Sequence, residues 1–149
     1  MHTKLNITII LLLVLGLLVA CGSAQPETDI PADAALKITG NVVNEVGWTE
    51  EMVKAMEAIE AESANKKGET KTYTGVALND LLSMAQVASG ASTLKFVGGD
   101  GSTAEVPLAE IQACQNCLVS FRNQGGFSMV LPDFDEKVQI KGVVEIQVQ

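Results

Sequence analysis

Ile7 to Val19 form an almost unbroken apolar run, interrupted only by Thr8 and Gly16, behind a single positive charge at Lys4. The run is about thirteen residues, shorter than the ~20 a spanning helix needs, and its length suits the apolar core of an export signal. This feature constrains the rest of the chain. The folding unit must lie downstream of the run, and it must be stable in an oxidising compartment outside the cytoplasm.

The run ends in Leu18-Val19-Ala20-Cys21-Gly22, which resembles the bacterial lipobox. The resemblance implies cleavage before Cys21 and diacylglyceryl attachment to its thiol, often with acylation of the new amine. Two or three acyl chains hold a protein stably where one is marginal. Residue 22 is Gly rather than Asp, so the Gram-negative inner-membrane retention signal is absent. Residues 1–20 are expected to be the lipoprotein signal peptide. Residues 21–34 carry Pro26, Pro31, Glu27, Asp29 and Asp33 and read as a flexible tether. Residues 35–149 form one domain, and removing the signal leaves about 130 residues, enough for a single core. The expected location is the cell envelope, lipid-anchored and extracytoplasmic.

Charge and histidine content narrow the chemistry. The formal net charge is −8, and loss of Lys4 makes the processed chain one unit more negative. With one arginine, Arg122, such a domain repels nucleic-acid phosphates, so no nucleic-acid partner is expected. Anionic headgroups repel it too, which leaves the lipid as its link to the membrane. The one histidine, His2, departs with the signal. No imidazole then remains for general-base catalysis, a Ser-His-Asp triad, haem ligation or most zinc sites.

Within the domain, Leu36 to Val42 alternates as a first strand. Thr49 is placed to cap a helix whose first turn carries Glu50 and Glu51. Met52, Met56 and Ile59 continue it at helical spacing until Asn65 to Gly68 ends it, with Lys66-Lys67-Gly68 as a solvated helix end. Thr70 to Thr74 is β-rich. Val76 to Ala85 is a second amphipathic helix with Leu78, Leu81, Leu82 and Ala85 on one face. Leu94 to Val97 and Thr103 to Val106 are strands joined by the reversal Gly98-Gly99-Asp100-Gly101. Pro107 to Ala113 is a helical turn with proline first. Cys117 to Phe121 and Ser128 to Leu131 pair around Asn123 to Gly126, and Val138 to Val148 is a last alternating strand. Strands with two main helices make an α+β domain.

These landmarks in their order resemble the molybdopterin-binding domain of the sulfite oxidase family. They are Ile38-Thr39-Gly40-Asn41-Val42, Tyr73-Thr74-Gly75-Val76 with Leu78, Leu81 and Leu82, Gly90-Ala91, Gly99-Asp100-Gly101, Val106 to Glu110, Val130 with Pro132, and Lys141-Gly142-Val143 with Glu145-Ile146. The resemblance spans about residues 35 to 148. It implies that family's fold, a mixed sheet with two main helices. It also implies a molybdenum pyranopterin held by a cysteine thiolate placed before the Tyr73-Thr74-Gly75-Val76 segment, with basic residues and histidine on the phosphate and pterin. Here the pattern departs. Glu57 to Thr72 contains no cysteine, and other side chains there are harder ligands. A fold can persist without its catalysis.

After Cys21, two cysteines remain, as Cys114-Gln115-Asn116-Cys117. In an oxidising compartment a local disulfide is the default reading. A redox-active CxxC is the alternative, although no lysine or arginine flanks the pair to lower a thiol pKa. Half of a metal site is a third reading, but no second CxxC or histidine completes it. Asp100 is expected to serve its turn, Asp133, Asp135 and Glu136 to form a solvated loop, and Trp48 and Tyr73 to pack. Gly125-Gly126 reads as a turn. No catalytic residue, metal site or cofactor-binding residue is assigned, and no resident cofactor is expected. The reading is a noncatalytic lipid-anchored module that binds a small ligand or an envelope protein. The alternatives are a molybdenum-cofactor oxidoreductase or electron-transfer subunit, and a thiol–disulfide protein acting through Cys114 and Cys117.

Overall fold

The computed structural model describes residues 30–64 and 67–149. The signal, Cys21 and residues 22–29 of the tether lie outside them, as do Asn65 and Lys66. The remainder of the expected tether is in contact with the domain: Pro31 to Ala34 makes a turn, and the Ile30 side chain lies over Gly47.

Leu36 and Ile38 are fully buried with Lys37 exposed between them, the alternation of a half-buried strand, and they make β1 (Leu36–Gly40). A short strand, β2 (Val46–Trp48), folds back antiparallel to it, and Trp48 joins the core. Thr49 caps α1 (Glu50–Lys54), its hydroxyl accepting from the Met52 amide at 3.3 Å. The helix ends there, contrary to the expectation of one running to Asn65. Residues Ile59–Ala64 form β3, antiparallel to β4 (Thr70–Ala77). The physical reason is the period. Ala61 and Ser63 are buried while Glu60 and Glu62 face water, which is a strand's alternation, and a partner strand satisfies its backbone. Met52, which seemed to open an apolar stripe, is 46% exposed. Lys67 and Gly68 accordingly belong to the β3–β4 turn, not to a helix end.

The second helix is α2 (Leu78–Ala85), burying the four expected residues, and Pro107 caps rather than starts α3 (Leu108–Ala113). Between them run β5 (Thr93–Gly98) and β6 (Thr103–Pro107). The hairpin β7 (Leu118–Phe121) and β8 (Phe127–Val130) follows. Glu136–Val138 is a 3-10 turn, so the last strand, β9 (Lys141–Val148), starts later than its alternation suggested.

Among the described residues the nine strands form one mixed sheet in the order β2-β1-β9-β8-β7-β4-β3, with β5 carrying β6 and pairing β9. The β1–β9 pair is parallel and the others antiparallel. This is the α+β mixed-sheet fold that the sequence implied. The main core gathers Leu36, Ile38, Phe96, Phe127 and Ile146 with the buried faces of α2 and α3. A smaller cluster of Ala61, Leu118 and Val130, with Ile59 and Tyr73 against it, packs apart from the main core.

Candidate functional site

The ladder between β4 and β7 is short, and a cleft opens where it stops. β4 pairs β3 from Thr70 to Gly75 but meets β7 only from Gly75 to Ala77. A methyl at Gly75 would overlap the carbonyl oxygen of Val119, so glycine permits this close contact. Before Gly75, Thr72 to Thr74 have no partner in β7, and a cleft of about 760 Å³ lies between them and Phe121 to Gln124. That volume is within the usual range for small-ligand sites.

The lining is rich in hydrogen-bonding groups. Ser63 and Ser120 are its buried polar members, 7% and 2% exposed, and the Ser120 hydroxyl donates to the Ser128 carbonyl at 3.1 Å. Tyr73 packs on the small cluster, as expected, and also lines the cleft. Trp48 is core, as expected.

Arg122 and Lys141 supply the cleft's positive charge, and both also line a neighbouring recess of about 560 Å³. Among the described residues neither forms an ion pair. Gly142, at φ 70°, makes room for the guanidinium, because a Cβ there would stand 3.2 Å from Arg122 Nη1. Arg122 heads the β7–β8 turn, closed by its amide donating to Gly126 and by the Gly125 amide donating back. Glu50 fixes that turn from α1, its carboxylate accepting from the Gly126 amide at 3.0 Å and from Lys54 at 2.6 Å. The Lys54 bond, then the Gly126 amide, holds the Glu50 carboxyl below the ordinary glutamate range. Glu136 and Asp100 bring negative charge to the rims of the two recesses. Asp100 turns back on its own loop, accepting from the Ser102 hydroxyl and amide, which lowers its pKa.

The cysteines stand elsewhere. Cys114 and Cys117 form a disulfide with Cα atoms 5.6 Å apart, and neither lines the cleft. The pair follows α3, and Asn79 of α2 donates to the carbonyls of Ile111, Gln112 and Cys114 around it. Cys117 is 1% exposed. In the acidic loop the Asp135 carboxylate accepts from the Lys137 amide, a local cap, and no group of three or more His, Cys, Asp or Glu able to hold a metal occurs among the described residues.

The donor set does not match a thiolate-ligated molybdenum pterin. The described part of the segment before Tyr73-Thr74-Gly75-Val76 is β3, a turn and the first residues of β4, and the buried polar side chain it offers the cleft is Ser63, whose neutral hydroxyl is no substitute for a soft thiolate. Of the cations needed for a phosphate, the cleft holds Arg122 and Lys141. The sequence pointed to Arg122 only as a lone arginine. Ser120 and Ser128 were visible as isolated hydroxyls in apolar strands, but nothing local placed them together.

No protein-family model matches the chain, and comparison with curated proteins finds no match. Among solved structures, the fold is similar to the sulfane dehydrogenase SoxCD from Paracoccus pantotrophus, with a TM-score of 0.65 and 16% identity. The similarity covers 76% of this chain and 37% of that one, so this chain spans little more than a third of its neighbour's length.

Proposed function

We propose that this protein is a lipid-anchored, extracytoplasmic binding module, built on a fold shared with a molybdopterin oxidoreductase family and working without that family's metal. Its cleft takes a small polar ligand with one anionic group, free or on the surface of an envelope protein. The observation that carries this reading is the pairing of Arg122 and Lys141, neither in an ion pair among the described residues, with a hydroxyl-lined cleft that includes buried Ser63 and has no cysteine in its lining. A guanidinium with no ion pair among the described residues of an acidic protein attracts anions that the rest of the surface repels. The lipid on Cys21 supplies the anchor, and the neighbourhood of the membrane sets where the ligand is met.

The test uses the full chain, exported and purified in detergent from a host that makes molybdenum cofactor. Mass spectrometry and elemental analysis are expected to give the lipidated chain less two hydrogens for the disulfide, with no molybdenum. Titration with phosphate and with acetate, followed by NMR, is expected to shift the Arg122 side-chain signal and the backbone amides that line the cleft. Molybdenum with a pterin mass, or sulfite oxidation, would overturn the reading.

That outcome would favour the second reading, a cofactor-binding oxidoreductase subunit, which the fold similarity to sulfane dehydrogenase supports. The thiol–disulfide reading rests on the Cys114–Cys117 bond, and a reduction potential well below the range of catalytic oxidoreductases would oppose it.

A further inference from the structure

Two of the methionines, Met56 and Met84, share a recess away from the Arg122 cleft. Met52 is exposed on α1, and Met56 follows the helix, two residues beyond its last residue, Lys54. Met84 projects from α2, and it shares with Met56 a recess of about 440 Å³ floored by Val76. Met52 and Met84 are each 46% exposed, which places them among the large apolar side chains this domain leaves in water. Isolated exposed apolar residues need no explanation, but a recess lined by two flexible thioethers is a surface fit for contact.

The charge around the recess has one sign. Glu57 and Asp80 line it, and Glu51 lies in the first turn of α1. The cation on α1, Lys54, is already held by Glu50, and α2 has no basic residue. The recess shares no lining residue with the cleft.

We propose that this face docks a basic amphipathic helix of a partner protein. The partner's aliphatic side chains enter between Met56 and Met84, and its lysines or arginines meet Glu51, Glu57 and Asp80. Unbranched thioethers adapt to a partner's side chains without a preformed jigsaw, and the acidic rim selects the sign of the partner and speeds encounter. A second copy of this chain would bring the same negative charge to the contact, which argues against self-association here.

The experiment holds the full chain in zwitterionic nanodiscs, with empty nanodiscs as the blank. A labelled helical peptide of leucine and lysine in amphipathic order is titrated in, followed by fluorescence anisotropy. Binding is expected that weakens with salt and falls about tenfold in Met84→Ser and in Glu57→Lys/Asp80→Lys, a tenfold change being readily read in this assay. Glu105→Lys, on β6, is expected to leave it unchanged. Far-UV circular dichroism of each variant checks the fold, and all the substituted positions are exposed. Equal binding of a leucine–glutamate peptide, wild-type affinity in the variants, or self-association lost in the methionine variant would each overturn the proposal. Phosphate binding in the cleft is measured on the same variants, so failure here is separable from failure there.

Discussion

Arg122 and Gly75 show how single residues make the cleft. Arg122 lies half-buried over Gly142. Arg122→Ala is expected to abolish the phosphate-induced shifts while moving the urea midpoint little, since substitutions away from cores change stability by about 0.5 kcal/mol or less. Gly75→Ala acts oppositely. Its methyl collides with the β7 backbone, so it is expected to cost about 1–3 kcal/mol by forcing β4 from β7, read as a fall in the urea midpoint. Glu50 gives a pH dependence. Its carboxyl is depressed in the folded state by Lys54 and the Gly126 amide, so its contribution is complete above the ordinary glutamate pKa and is lost as pH falls through the lowered one. The Gly126 amide's exchange protection is therefore expected to fall in acid, and Glu50→Ala to show that loss at neutral pH. Arg122 was readable in the sequence as a lone arginine, but its role was not. The guanidinium's setting depends on Gly142, and the turn that carries it is fixed by a glutamate 76 residues before Gly126.

At the scale of elements, the disulfide and Asn79 hold the end of α3. The bridge closes a loop with a sequence separation of 3. On the chain-entropy view such a loop is worth about 2 kcal/mol, so reduction is expected to lower the unfolding free energy by that amount without changing the far-UV spectrum. Asn79→Ala removes one amide from three carbonyls and is expected to cost about 1–2 kcal/mol in urea denaturation. Elements with one strong local signal were legible: α2 from its four buried apolar positions, and the β5–β6 hairpin from its Gly-Asp-Gly reversal. The segment after α1 was not. Met52, Met56 and Ile59 fit a helical period by spacing alone, while Ile59 to Ala64 also fits a strand. A five-residue helix has little stability of its own, so pairing with β4 decided between them. β2 was too short to show a period.

For the whole molecule, an acidic chain carries two surfaces of different character, a cleft with two cations and a thioether face rimmed by carboxylates. The sequence by itself determined the composition of the chemistry: no histidine after the apolar run, no cysteine in the segment before Tyr73, a cysteine pair close enough to bridge, and an alternation that marks several of the strands. Those properties are local, because they depend on which residues are present and on periods of two and 3.6. Only the tertiary structure decided that β1 lies parallel to β9, that β3 is a strand, and that Ser63, Tyr73, Ser120, Arg122 and Lys141 share one cleft. These residues come from β3, β4, the β7–β8 hairpin and β9. Their meeting is set by which strands pair and where a ladder ends, and that is fixed by burial and backbone hydrogen bonding across the whole sheet.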